Sequence, residues 1–155
     1  MPDLGADDQP VRFDWDAAVN LSREFRAAAD LLNAQAGQRT SNAASARRLW
    51  EGVYGQQFDG RLRVCTSDAG RLATALRSAA GAIDRLAEWA RDEQDRRNRA
   101  RAWVEAQRNE SFLKSGWDSL TGGDQPPSEP SPPPPFPVLD VAPADRGPAV
   151  PAGVL

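Results

Sequence analysis

The stretch that decides the fold runs from Phe58 to Ala90 and reads FDGRLRVCTSDAGRLATALRSAAGAIDRLAEWA. Its apolar residues are separated alternately by four and three positions: Phe58, Leu62, Cys65, Ala69, Leu72, Leu76, Ala79, Ile83, Leu86 and Ala90. This heptad spacing places them on one stripe of an α-helix, and such a stripe packs against a second helix. At about 1.5 Å of rise per residue, the stripe is roughly 50 Å long. The sequence therefore predicts a long helix with a partner along its whole length.

The segment before this stretch predicts a matching helix. Asp14 precedes an alanine-rich run and can accept hydrogen bonds from the first free N–H groups, so we expect a helix to begin at Trp15. Weak helix formers lie between Gly37 and Asn42, but the helical pattern resumes after them, so we expect a continuous or slightly kinked helix. Residues of this helix expected to face the second one in the antiparallel direction are Leu21, Phe25, Leu32, Ala46 and Trp50.

The chain is expected to reverse direction close to Gly52. The segment from Trp50 to Gly60 contains two early glycines, and glycine adopts positive φ without a steric penalty. We therefore predict an all-α fold, an antiparallel helical hairpin that resembles a coiled coil. Its seam, which faces either the hairpin core or a partner, contains Leu21, Phe25, Leu32, Leu62, Leu72, Leu76, Ile83 and Leu86.

Proline positions predict where the ordered part ends. Eleven of the 13 prolines lie between Pro126 and Pro151, and none lies between Val11 and Gln125. A proline inside a helix costs about 3 kcal/mol, so the long proline-free stretch permits long helices. We predict a flexible N-terminus at 1–13, a hairpin with an extended second helix at 14–120, and a disordered, proline-rich tail at 121–155.

Composition argues against several classes of function. The chain has no histidine and a single cysteine, Cys65, for which a small buried thiol is expected; no metal site, cofactor, disulfide or catalytic constellation is predicted, and an enzyme is not expected. The net charge of −3 does not favour nucleic acid, and acids interrupt the arginines between Arg96 and Arg101. No segment approaches 18 consecutive apolar residues, so no membrane span is expected, and the acidic start does not resemble a cleaved signal peptide.

The turn region carries a family resemblance. Trp50 and Gly52 lie between two amphipathic helices, and Phe58 follows near the start of the second. This segment resembles the WXG family, small helical-hairpin proteins exported by type VII secretion systems, in which the tryptophan and glycine occupy the turn. The resemblance covers roughly 14–97 and excludes the tail. The alternative is a generic hairpin in which the Trp50 indole covers the end of a core made of alanine and leucine.

Trp89 and Glu93 match part of a second WXG pattern. Members often carry, after the second helix, an aromatic residue followed four positions later by an acid, which the secretion machinery reads. Here tryptophan stands where tyrosine is usual, and Arg96 and Ala100 occupy positions that are apolar in the family. Residues i and i+4 share one helix face, so the pair can meet one partner surface. The resemblance implies an export signal; the alternative is an indole covering the open end of the hairpin beside an unrelated acid.

The resemblance also implies partners and a location. It implies pairing with another WXG-like protein, or with the helical N-terminal region of an effector such as a toxin, to complete a four-helix bundle, and recognition by a secretion ATPase. It further implies a cytoplasmic protein that is then secreted without a cleaved signal peptide. A two-helix hairpin of this size buries little, so apolar surface should remain for a partner. The alternative is a cytoplasmic, homodimeric coiled-coil scaffold that uses its proline-rich tail to recruit another protein.

Overall fold

The structure is a computed structural model that describes residues 10–113, 127–139 and 141. Over these ranges it contains three helices and no strand: α1 (Trp15–Ala34), α2 (Ala36–Arg47) and α3 (Gly52–Leu113). α1 and α2 together pack along α3 in the antiparallel direction. The prediction of an all-α, antiparallel helical hairpin is therefore confirmed.

α1 and α2 form one helix with a local break at Gln35. The carboxylate of Asp14 accepts a hydrogen bond from the Ala17 N–H at 2.9 Å, which caps the first turn as predicted. At the break, the Gln35 N–H donates to the Leu31 carbonyl at 3.0 Å, and the Gln35 carbonyl accepts from the Arg39 N–H at 2.9 Å. Helical hydrogen bonding thus continues across the break, which lies just before the weak helix formers.

The chain reverses between α2 and α3. Leu49 and Trp50 donate their N–H groups to the carbonyls of Ala46 and Arg47, at 3.0 and 3.2 Å, which tightens the end of α2. Gly52 then opens α3 with a φ of +62°, a left-handed conformation that favours glycine. The turn lies where the sequence predicts it.

Alanine dominates the hairpin core. Ala29, Ala73 and Leu76 are buried together, and Phe25 and Leu32 pack against them. Apart from Arg47, the buried and half-buried residues of α1 and α2 repeat at three and four positions: Trp15, Ala18, Ser22, Phe25, Ala29, Leu32, Ala36, Arg39, Ala43 and Ala46. The matching stripe of α3 consists of Ala73, Leu76, Ala80, Ile83, Ala87 and Ala90, and Ala79 and Leu86, each one position before this stripe, are buried as well. Both helices therefore carry a heptad stripe, and small side chains at most positions allow the helices to approach closely.

Part of the predicted seam differs from the observed core. Leu76, Ile83 and Leu86 are buried, and Leu62 is half-buried. In contrast, Leu21 and Leu72 are exposed, and so is Cys65, which we expected to be a buried thiol. The observed stripe is displaced by one position from each of the two leucines.

Ser22 explains the displacement on α1. This serine is buried, with its hydroxyl donating to the carboxylate of Asp84 at 2.7 Å and contacting the Ala80 carbonyl at 3.4 Å. A buried hydroxyl is tolerated when it is hydrogen-bonded. Ranking residues by hydrophobicity selects Leu21 over its neighbour, although the smaller serine fits between the closely packed helices.

Two segments without regular secondary structure lie against α3. The N–H of Val11 donates to the Gln94 side chain at 2.8 Å, so the described residues before α1 contact α3. Residues 127–139, called the proline segment below, contact α3 through Trp89. The predictions made for 1–9, 114–126, 140 and 142–155 fall outside the described residues. Among the described helices, none is long and apolar enough to cross a membrane.

Candidate partner-binding surfaces

The heptad stripe divides the hairpin surface into two faces. Each residue advances about 100° around an α-helix, so the residue before a core position and the residue after it lie on opposite flanks. Because the two helices are antiparallel, the residues that follow core positions come to the same side of the hairpin. The residues that precede core positions come to the other side.

The residues that follow core positions form the ion-pair face. Arg26 pairs with Asp84, and Arg77 pairs with Asp30 at 2.7 Å; all four side chains are about half-exposed or more. Hydrogen bonds from Arg26, and then from Ser22, lower the pKa of Asp84 below its usual value. These cross-helix pairs confirm that the two flanks meet on one side.

The residues that precede core positions form the apolar face. On α3 this flank is apolar from 72 to 89, and on α1 it is interrupted by Glu24. Leu21, Leu31 and Leu72 are 46%, 58% and 38% exposed. The apolar face consists of Leu21, Ala28, Leu31, Leu72, Ala75, Ala79, Ala82, Leu86 and Trp89, of which Ala79 and Leu86 are already buried within the chain. Exposed leucines contributed by both helices of one face are typical of a surface that binds another protein.

The turn motif builds an aromatic cleft at the closed end of the hairpin. The rings of Trp50 and Phe58 meet edge to face with centroids 5.0 Å apart. A cleft of about 680 Å³ opens beside them, lined by Leu49, Trp50, Glu51, Tyr54, Gln57, Phe58 and Arg61. Trp50 is 47% exposed, so about half of its side chain is open to solvent at this cleft.

Arg47 ties the two sides of the turn together. Its guanidinium donates to Asp59 at 3.0 Å and to the Trp50 carbonyl. The same group lies over Gly55, where an added Cβ would come within 2.5 Å of it. Gly55 therefore makes room for the arginine, while Gly52 supplies the backbone conformation of the turn.

The candidate export signal lies on α3 near the open end of the hairpin. Trp89 and Glu93 are four residues apart and on the apolar flank, so the structure brings them to one face. The carboxylate of Glu93, however, is only 5% exposed, as is Arg96, which donates to both of its oxygens at 2.7 and 2.8 Å. Arg97 adds a third hydrogen bond at 2.9 Å.

This buried ion pair perturbs both groups. Hydrogen bonds from Arg96, and then from Arg97, outweigh the effect of burial and lower the pKa of Glu93 from 4.5 to about 2. The hydrogen bond to Glu93 raises the pKa of Arg96. Glu93 is therefore a carboxylate engaged within its own chain, and a partner can use it only after the arginines rearrange. The sequence spacing of glutamate and arginine, three and four residues apart, could have identified this network.

Sequence reasoning missed the contact between Trp89 and the proline segment. The indole N–H of Trp89 donates to the Ser131 carbonyl at 3.1 Å. The two residues are 42 positions apart, and a backbone carbonyl carries no side-chain signal. Only the proline content of the segment, which leaves its carbonyls without internal donors, indicates that it accepts such a bond.

The described residues offer no metal site, because they contain no cluster of three or more histidine, cysteine or acidic side chains that could hold an ion. Comparison with known proteins adds no identification: no family model, no curated protein and no solved structure matches the chain. Function must therefore be inferred from the two faces and the aromatic cleft, as surfaces for binding another molecule.

Proposed function

We propose that this chain is a WXG-like type VII secretion protein that pairs through its apolar face with another helical hairpin. The partner is a second WXG-like protein or the helical N-terminal region of an effector, and the product is a four-helix bundle. The observation that carries the proposal is the set of exposed leucines on one face: Leu21, Leu31 and Leu72.

The ion-pair face supports the choice of the apolar face as the surface that binds the partner. Its cross-helix ion pairs are already satisfied within the chain and are about half-exposed, so they gain little from burial. Covering the apolar face would remove leucine and alanine side chains from water, which contributes about 25 cal/mol per Å². A partner helix pair is therefore expected on the apolar face.

The turn favours the WXG reading over a generic hairpin. Trp50 and the left-handed Gly52 lie at the reversal, and Phe58, near the start of α3, completes an exposed aromatic cleft with Trp50. A generic hairpin needs only a reversal, whereas an exposed tryptophan beside it offers a contact to another protein. The proposal therefore assigns the closed end to recognition by the secretion apparatus or by the partner.

The test is co-expression with the product of the neighbouring gene, followed by pull-down and by size-exclusion chromatography with light scattering. We expect a one-to-one complex that Leu31→Glu or Leu72→Glu weakens at least about a hundredfold, because a carboxylate would be buried without a partner. Val19→Glu is the matched control. Val19 is 54% exposed but follows a core position, so the same charge there should leave the complex intact.

Other outcomes separate the alternatives. Release into the medium that depends on the secretion ATPase supports the type VII function. A complex weakened equally by Val19→Glu would show that the apolar face is not the contact. A stable homodimer that ignores the neighbouring product and is not exported would favour the cytoplasmic scaffold instead.

A further inference from the structure

The proline segment (residues 127–139) lies on the open end of the apolar face. Trp89 donates its indole N–H to the Ser131 carbonyl at 3.1 Å, and Arg96 contacts the Ser128 carbonyl at 3.5 Å. Pro127, Pro134 and Pro137 are half-buried along the segment. Because Ser131 lies at Trp89 and Ser128 lies at Arg96, the segment runs antiparallel to α3.

One turn of the proline segment is about as long as two turns of α3. Proline-rich chain favours polyproline II, with three residues per turn and a rise of about 3.1 Å, so Ser128 and Ser131 are one turn and roughly 9 Å apart. Trp89 and Arg96 are seven residues apart, which is about two α-helical turns and roughly 10.5 Å. Two donors on one face of α3 can thus meet two carbonyls on one side of the segment.

The chemistry of the two partners is also complementary. Proline has no N–H, and polyproline II forms no internal hydrogen bonds, so the carbonyls of such a segment need outside donors. Indole and guanidinium groups are donors only. An aromatic surface that donates to the carbonyls of a proline-rich chain is a recurrent mode of peptide recognition. Glu93 holds the Arg96 guanidinium through two hydrogen bonds, which fixes one of the donors in place.

The segment also forms one side of a cleft on α3. A cleft of about 360 Å³ lies between the segment and α3, and Glu129 lines it together with Arg96 and Arg99. Asp92, Glu93 and Asp95 also line the cleft, so acids outnumber arginines on its α3 side, and the docking depends on the hydrogen bonds and not on charge.

We propose that α3 carries a binding site for the proline segment of its own chain, formed by Trp89 and Arg96 with Glu93 as the positioning residue. The bound segment covers the open end of the apolar face and must leave before a partner helix can pack there. The docking stands on the contacts above, whereas the competition with a partner rests on the proposed function.

The docking is tested on the intact, ¹⁵N-labelled chain by hydrogen exchange of the tryptophan indole protons, with Trp89 assigned by its loss in Trp89→Phe. Replacing residues 127–137 by a Gly/Ser sequence of equal length should speed exchange at Trp89 about fivefold or more, which is the factor for one hydrogen bond of about 1 kcal/mol. The Ser128→Ala/Ser131→Ala variant retains both carbonyls and should leave the rate unchanged. An unchanged rate in the Gly/Ser variant would overturn the proposal.

A second variant tests the docking even if the Gly/Ser variant does not fold. Trp89→Phe keeps an aromatic ring and removes only the donor, so we expect backbone order at Ser131, measured by ¹⁵N relaxation, to fall. Trp15→Phe is the matched control, because Trp15, at the start of α1, contacts Arg91 on the ion-pair flank of α3 and should not affect Ser131. Equal effects of the two substitutions would overturn the proposal. The backbone order at Ser131 must also be independent of protein concentration. A dependence on concentration would mean that the proline segment docks onto a second copy of the chain.

The competition is measured on the same chains. The Gly/Ser variant should bind the partner found by co-expression about fivefold or more tightly than the parent chain. This is the factor by which docking of the proline segment reduces the fraction of parent chains that can bind. Equal affinity would show that the segment does not compete, while the exchange data would still establish its docking. If no partner binds either chain, the proposed function fails, and the indole exchange still decides the binding site.

Discussion

The two faces of the hairpin both contain charged pairs, but they place them in opposite environments. On the ion-pair face, Arg77 and Asp30 remain 49% and 70% exposed. On the flank that continues the apolar face, Glu93 and Arg96 are almost fully buried. Exposed pairs contribute at most about 1 kcal/mol, whereas removing one partner of a buried pair costs several. Burial, and not the presence of a salt bridge, therefore decides which charges this fold depends on.

The largest effect is expected from Arg96→Ala. The substitution removes two hydrogen bonds from a buried carboxylate and leaves it with Arg97, so the free energy of unfolding should fall by roughly 3 to 5 kcal/mol. Urea denaturation followed by circular dichroism measures this change. Arg85→Ala, at an exposed arginine of the same helix, should stay within about 0.5 kcal/mol of the parent. Equal losses in the two variants would mean that burial does not distinguish the two environments.

Acid sensitivity should also come from the buried pair. The folded pKa of Glu93 is about 2, below its ordinary value of 4.5, so its contribution is fully present above about pH 5 and is lost as the pH falls towards 2. Complete protonation, below about pH 2, removes roughly 3 kcal/mol. In Glu93→Gln, urea unfolding should show a lower stability at pH 7 and a shallower decline between pH 5 and 2. An identical pH dependence in variant and parent would contradict the role of this carboxylate.

The contrast between the faces also explains what the sequence could predict. Apolar periodicity and a glycine turn were enough for the helices, their antiparallel direction and the reversal at Gly52. The exact stripe was not predictable, because Leu21 and Ser22 compete for one position and only the close approach of α3 favours serine. A pattern based on hydrophobicity assigns the more apolar residue to the core, even where that residue belongs to an outer face.

The candidate sites divide in the same way. Trp50, Gly52 and Phe58 are close in the chain, so their clustering at the closed end follows from local geometry. Trp89 depends on Ser131, a contact that no periodicity encodes, since it joins a helix to a segment without regular structure. The predicted pair of Trp89 and Glu93 therefore lies on one face as expected, but in surroundings that the sequence did not reveal.

The smallest effect is expected on the ion-pair face. Arg77→Ala removes the pair with Asp30, yet both side chains are about half-exposed or more, so water replaces the lost partner at little cost. The free energy of unfolding should fall by at most about 1 kcal/mol at low ionic strength, and the difference should vanish in high salt, because exposed charges are screened. Ser78→Ala, at the adjacent exposed position, controls for the change in helix propensity. A salt-independent loss above about 2 kcal/mol would place this pair with the buried one and remove the distinction between the faces.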